Sequence, residues 1–144
     1  MDKIKKGEKI FYEAAKHYNL ATESYGTSNY KLNHKKAFAK FKEAAKLNHP
    51  LSIVYVGTYY EEGLVVPYSI EKAIKYYKKG MELNSKYAFE RMGSLYHEGM
   101  GVKQSNLKAY KLYKRAKTKF AKFNMDILET YFYDEIKEEI ENEM

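Results

Sequence analysis

The chain has 144 residues, of which 44% are hydrophobic and 31% charged, and its formal net charge is +7. This length suits one compact domain or one short repeat array, and the composition excludes a disordered chain. The absence of cysteine excludes disulfides and thiolate metal sites. No stretch approaches the roughly 18 apolar residues of a membrane span, and the N-terminus lacks the apolar run of a secretory signal. A cytoplasmic location is therefore the default expectation.

The first predicted element is residues 1–14, an N-terminal helical extension with four residues that are expected to pack inward: Ile4, Ile10, Phe11 and Ala14. After it, the sequence repeats every 36 residues. Lys-Ala dipeptides recur at residues 36, 72 and 108, and six further pairs keep the same spacing: Gly57 and Gly93, Tyr60 and Tyr96, Gly63 and Gly99, Val66 and Val102, Ser69 and Ser105, and Tyr77 and Tyr113. No gap is needed, so we predict three repeats with these bounds: 15–50, 51–86 and 87–122.

Each repeat has the pattern of two helices joined by a tight link. In the second repeat, Gly63 is expected to end the first helix, because glycine accepts a positive φ without strain. Ser69 is expected to cap the second helix. The third repeat has Gly99 and Ser105 at the same positions. The first repeat is less regular, as expected of a terminal repeat in a solenoid.

Two glycines, Gly57 and Gly93, lie inside predicted first helices. Glycine there costs about 1 kcal/mol relative to alanine. We therefore expect a close approach to the facing helix, where Ala73 and Ala109 supply small side chains.

The third repeat resembles the Sel1-like repeat pattern at these positions: Ala88, Met92, Gly93, Tyr96, Gly99, Gly101, Val102, Lys108, Ala109, Leu112, Tyr113 and Ala116. The resemblance covers roughly residues 15–122. The chain departs from the family at Ser69 and Ser105, where an acid is usual, and at Val65, which replaces the second loop glycine. The resemblance implies an all-α fold, an α/α solenoid of stacked helix-turn-helix repeats. It also implies an adaptor or scaffold rather than a catalyst. The related tetratricopeptide repeats, with their period of 34 residues, are the second choice.

The C-terminal segment leaves the 36-residue pattern. Apolar residues recur every three or four positions, which predicts an amphipathic capping helix over 123–144. Residues 126–144 hold eight acids and one base, so the other 125 residues carry a net charge of +14. This helix either only closes the array or also covers a basic groove until a partner arrives.

The sequence shows no pattern typical of catalysis or of cofactor or metal binding. The four histidines lack zinc-ligand spacing, Gly99-Met100-Gly101 lacks the context of a phosphate loop, and Glu61 and Glu62 diverge on one helix. We therefore predict a protein that is not an enzyme and has no cofactor.

The family resemblance implies that the first helices line a concave surface. Eleven first-helix positions outside the predicted packing stripes are candidates for binding a protein or peptide: Tyr18, Asn19, Thr22, Val54, Tyr55, Thr58, Tyr59, Glu90, Arg91, Ser94 and Leu95. Some of them would complete the core if the helix phase differs by one residue. The alternative function is nonspecific electrostatic binding of nucleic acid or an anionic surface through the basic body. Nucleic acid is disfavoured, because the chain has only two arginines. Three repeats are near the minimum for a stable array, so a homodimer through an exposed end is a further expectation.

Overall fold

The computed structural model describes residues 2–144. These residues form eight helices and no strand, in this order: α1 (Lys3–Glu23), α2 (Ser28–Lys46), α3 (Pro50–Glu62), α4 (Ile70–Glu82), α5 (Lys86–Glu98), α6 (Asn106–Ala116), α7 (Lys119–Tyr131) and α8 (Tyr133–Glu143). The predicted all-α fold is confirmed.

The chain divides into two compact units, one ending at Lys79 and the other beginning at Gly80, within α4. In the first unit, α2 packs against both α1 and α3. Its core is built from small and aromatic residues: Ala14, Ala37, Phe41, Ala45, Ile53, Val56 and Tyr59. In the second unit, α6 packs against α5, α7 and α8. The core of that unit has these members: Phe89, Leu107, Ala109, Tyr113, Ala116, Ala121, Leu128 and Ile136.

The helix ends predicted from glycine and serine are confirmed. Gly63 and Gly99 lie in the left-handed region, with φ of 62° and 68°. The Ser69 hydroxyl accepts the backbone N–H of Lys72 at 3.2 Å, and Ser105 caps α6 in the same way. The first helix of each pair therefore ends at the link, and the second helix begins directly after it.

The two internal glycines make the predicted close approach to the facing helix, but they contact tyrosine rings there instead of Ala73 and Ala109. A Cβ at Gly57 would lie 2.6 Å from Cε1 of Tyr77, and one at Gly93 would lie 2.7 Å from Cε1 of Tyr113. Ala73 and Ala109 are buried as well, yet the tyrosine rings occupy the space that the glycines leave. A flat ring reaches across the gap between the helices, which sequence spacing does not reveal.

The predicted N-terminal extension is the first part of α1, and its first residue, Met1, lies outside the described residues. Ile10 and Ala14 are buried, but Ile4 is exposed, which differs from the prediction. A Cβ at Gly7 would contact the turn after α2, at 3.7 Å from Leu47 Cβ. Because α2 ends there, the first turn of α1 extends beyond its packing partner.

The C-terminal segment also differs from the prediction of one helix over 123–144. Two helices, α7 and α8, meet at Phe132, whose φ of −127° and ψ of 18° interrupt the helix. Thr118 caps α7 as its N-terminal residue, accepting the N–H of Ala121 at 3.0 Å. The acidic helix α8 lies against α6, which is consistent with a cap on the third repeat.

Candidate protein-interaction surface

In the first unit, aromatic rings join the outward faces of the two first helices, α1 and α3. Tyr18 of α1 meets Tyr55 of α3 edge-on at 5.3 Å between ring centroids. Phe11 of α1 stacks on His49, the N-cap of α3, at 4.7 Å. The Tyr55 ring also lies parallel to that of Phe41 in α2 at 4.4 Å. Both tyrosines remain partly exposed, so this cluster forms a rigid and accessible aromatic surface.

Five of the seven predicted surface residues in the first unit are accessible. Asn19 and Thr22 are exposed on α1, next to Tyr18, and Tyr55 and Thr58 are partly exposed on α3. The prediction that the other two are exposed is wrong: Val54 is 5% exposed and Tyr59 is 2% exposed.

Tyr59 is buried in the core of the first unit, where its hydroxyl shares a 2.7 Å hydrogen bond with Nδ1 of His34 on α2. Tyr59 also packs beside Phe38, at 5.2 Å between ring centroids. The first helix α3 is thus covered from the side of α2 as well as from α4, and its buried arc is wider than one stripe.

In the second unit, two of the four predicted residues are accessible. Glu90 and Arg91 are partly exposed. Ser94 and Leu95 are buried, and the prediction that they are exposed is wrong. Ser94 shares a 3.2 Å hydrogen bond with the hydroxyl of Tyr113, so it belongs to the contact between α5 and α6.

Glu90 has a structural partner too. Its carboxylate accepts a hydrogen bond from the hydroxyl of Thr118, the N-cap of α7. This bond fixes the position of the Glu90 side chain at the start of α7, so the carboxylate is held in place before any partner binds.

Burial sets the charge state of the aromatic surface. Burial raises the pKa of Tyr59 and, to a smaller extent, the pKa of Tyr18, to which the nearby charge of Glu62 also contributes. Burial lowers the pKa of His34 below its usual 6.5. These shifts favour the neutral form of both tyrosines and of the histidine.

A second surface feature escaped the sequence reasoning. Residues 114–123, at the corner between α6 and α7, contain five bases and no acid. Phe120 is 47% exposed and Phe123 is 64% exposed in this segment. The sequence signal, aromatic residues interleaved with lysines, stands at the end of the third repeat, where the basic residues were interpreted only as part of a generally basic body.

The chemistry-bearing side chains serve structural roles. His49 accepts the N–H of Ser52 at 3.2 Å as the cap of α3, and His97 contacts Asn106 at 3.2 Å. Glu61 accepts a hydrogen bond from the Tyr77 hydroxyl. Residues 2–144 contain no group of three histidine or acidic side chains arranged to hold a metal ion. Across the same residues, none of the helices combines the length and apolar character that spanning a membrane requires.

Comparison with known families identifies the repeat. The Sel1 repeat model matches three times, at residues 17–49, 50–85 and 90–119. The chain belongs to the Sel1 repeat family. Sel1 repeat proteins are generally protein-interaction scaffolds and are typically not catalytic.

Two solved structures share the Sel1 fold. The Sel1 repeat protein from Oxalobacter formigenes is 27% identical, with a TM-score of 0.71 over 86% of this chain and 49% of that one. The second is c5321, a protective antigen of uropathogenic Escherichia coli with an SLR fold. It is 24% identical, with a TM-score of 0.67 over 81% of this chain and 26% of that one. The chain thus spans about half and about a quarter of their lengths. No curated protein matches.

Proposed function

We propose that this Sel1 repeat chain is a non-enzymatic scaffold that binds a protein or peptide segment on its first helices. The accessible members of the predicted surface carry the proposal: Tyr18, Asn19, Thr22, Tyr55 and Thr58 in the first unit, and Glu90 and Arg91 in the second. The single strongest support is the ring cluster of α1 and α3, which is both partly exposed and held by packing.

Preorganisation is the physical reason that this surface suits binding. The Tyr55 ring is stacked on Phe41 at an interplanar angle of 2°, so little side-chain freedom remains to be lost when a partner docks. Tyrosine offers a large apolar area with a polar tip, and it is enriched at interfaces for that reason. Exposed amide and hydroxyl groups at Asn19 and Thr22 would add hydrogen bonds at the rim.

Site-specific photocrosslinking tests the proposal directly. A photoreactive residue in place of Thr22, on the exposed face of α1, is expected to capture a protein partner. The same photoreactive residue in place of Lys35, on α2, is expected not to capture that partner. Both positions are exposed, so neither change disturbs the core. Equal capture at the two positions, or none at Thr22 while the same partner is captured at Lys35, would refute the assignment.

A paired substitution gives the energetic test. Asn19→Arg with Thr22→Arg is expected to weaken capture of that partner at least about tenfold, since charged bulk blocks the surface. The matched control is Lys35→Ala with Lys36→Ala on α2, which is expected to change nothing. Tyr55→Ala with Arg91→Ala probes the deeper positions, with circular dichroism as the folding control.

Electrostatic binding of nucleic acid or an anionic surface is the second candidate. The corner at residues 114–123 favours it, because exposed phenylalanines next to lysines suit both stacking on bases and insertion among lipid headgroups. Lys119→Glu with Lys122→Glu would abolish retention of single-stranded RNA or of anionic vesicles, and retention would fall steeply with salt. Retention that survives both changes excludes this function.

A cytoplasmic location is also part of the proposal. Fractionation of the host cells, with the chain detected in the soluble cytoplasmic fraction, is the expected result. Detection in an extracellular or envelope fraction would contradict it.

A further inference from the structure

The break between α7 and α8 is unusual in its sequence. Residues 119–143 contain neither glycine nor proline, and their apolar residues keep a helical spacing throughout. Phe132 is the single residue between α7 and α8, and helical backbone bonds are formed on either side of it, from Phe132 N–H to Leu128 O and from Ile136 N–H to Phe132 O, each 2.9 Å. A change at Phe132 alone would therefore join the two helices into one.

No side-chain cap stabilises the bent form, and only part of the packing of α8 is on α7. Among the described residues, α8 has no side-chain cap at its N-terminus, and the capping position holds Phe132 instead of a serine, threonine or acid. Helix α7 can be aligned with α5 through their N-cap residues, Thr118 and Ser85. In this alignment α7 carries Asp126 where α5 has Gly93. A side chain at this position disfavours the close approach that α5 and α6 share, although α8 contacts α7 as well as α6, and Ile136 shares a core with Leu128 of α7.

Contacts with α6 hold α8 in place. Ile136 is the buried residue of α8. Three acids spaced four residues apart reach α6 and its cap: Glu135 accepts from Asn106 at 3.2 Å, Glu139 from Ser105 at 3.3 Å and Glu143 from Lys111 at 2.8 Å. All three belong to one face of α8, so they break and reform together.

We propose that α8 exchanges between two copies of this chain, producing a domain-swapped dimer. Phe132 becomes helical, α7 and α8 form one straight helix, and the α8 portion of each copy docks on α6 of the other. Every contact between α6 and α8 is kept, and backbone hydrogen bonds across the hinge are gained. Very short hinges favour such exchange, because the segment gains backbone hydrogen bonds by straightening and its contacts with α6 are reproduced on a second copy.

The surface near the hinge fits the same arrangement. Tyr131 is 75% exposed and Tyr133 is 60% exposed, one on each side of Phe132. In a two-fold dimer the hinges of the two copies meet, and these rings would cover one another there. The exchange thus gives a partner to two large side chains that are mostly in solvent in the bent form.

A chemical crosslink distinguishes exchange from other association. The chain has no cysteine, so the double variant Lys111→Cys with Glu143→Cys carries two reactive sites at exposed positions. A short bis-maleimide linker joins them within one chain in the bent form and between chains in the exchanged form. The dimer fraction from size-exclusion chromatography at millimolar concentration is expected to give covalent dimers on a denaturing gel. A dimer fraction that yields only internally linked monomers, or no dimer fraction at all, would overturn the proposal.

Variants at Tyr133 test the hinge itself. Proline is tolerated at the first position of α8 but not inside a continuous helix. Tyr133→Pro is expected to lower the dimerisation constant by at least roughly a hundredfold, the factor that corresponds to the ~3 kcal/mol cost of an interior proline. Tyr133→Ala removes the same side chain but permits the straight helix. We therefore expect its association constant for the dimer to be more than a tenth of that of the unsubstituted chain. If both variants keep their circular dichroism spectrum and dimerise equally, the straightened hinge is wrong.

Discussion

Replacing Gly93 with alanine measures how much the contact between glycine and tyrosine contributes to each helix pair. The new Cβ would lie 2.7 Å from Cε1 and 2.8 Å from Cδ1 of Tyr113. Carbon atoms in normal contact are about 3.5–4.0 Å apart. The ring has little freedom to retreat, because it is 1% exposed and its hydroxyl bonds Ser94 at 3.2 Å.

Two opposing effects set the expected magnitude. Alanine favours the helix over glycine by about 1 kcal/mol, while overpacking a buried site costs typically about 1–3 kcal/mol. Three ring atoms lie inside the contact distance, so we expect the upper part of that range and a net loss of about 1–2 kcal/mol in the free energy of unfolding.

A double-mutant cycle tests whether the effect of Gly93→Ala on stability changes sign when the tyrosine ring is removed. In a Tyr113→Ala background the ring is gone, and Gly93→Ala is expected to stabilise by about 1 kcal/mol. Urea unfolding followed by circular dichroism at constant m-value measures all four proteins. Gly57→Ala with Tyr77→Ala repeats the cycle in the first unit, where the shortest distance is 2.6 Å. If Gly93→Ala shifts stability in the same direction with and without the ring, the ring is not what excludes a side chain at this position.

Three further predictions concern single positions. Gly101 has φ of 69°, so Gly101→Val is expected to cost about 1–2 kcal/mol and Gly101→Asn much less, measured by urea unfolding. Ser105→Ala, which removes a hydroxyl that caps α6, is expected to cost about 1 kcal/mol, whereas Ser85→Ala should have little effect because the Ser85 side chain makes no capping bond within the described residues. Burial lowers the pKa of His34, whose ring faces three tyrosines. The unfolded chain therefore takes up a proton first as the pH falls below about 6.5, stability drops, and His34→Gln should flatten this dependence; an unchanged slope would contradict it.

The repeat and its helix ends could be predicted because they depend on local chemistry. A glycine that needs a positive φ and a serine that caps the next helix recur at fixed spacing, and each acts within its own turn. Gly63 and Ser69 therefore behave as their sequence context indicates. The partner of Gly57 depends instead on how far the ring of Tyr77 reaches across two helices, which residue spacing does not encode.

The exposed surface was predicted only in part, for a geometric reason. The prediction assumed one buried stripe on each first helix, as on a helix that packs against a single neighbour. α3 contacts second helices on two sides, α2 through Tyr59 and α4 through Gly57. The arc between these two contacts holds Val56 and Ile53, and Val54, about 60° beyond Gly57 on the helix, is buried as well. Thr58, just past Val54, remains partly accessible.

The C-terminal helices continue the repeat at a spacing shorter than 36 residues, so they do not fit the pattern that defines the three repeats. Asn48 and Asn84 end the second helices of the first two repeats at φ of 59° and 56°, and Lys117 takes this role after α6 at φ of 58°. The step from Asn84 to Lys117 is 33 residues, and α6 has 11 residues where α4 has 13. At that offset Leu128 takes the place of Leu95, so α7 is a first helix that keeps its buried face.

What α7 lacks is the glycine that would let a second helix pack closely across it. Asp126 occupies that position, so the last pair ends the array instead of extending it. An aspartate on this face carries a charge that no following helix can bury without a partner. The same substitution leaves the side-chain hydrogen bonds of α8 directed to α6 and its cap. The residue that terminates the repeat is thus also the one that leaves the final helix free to exchange.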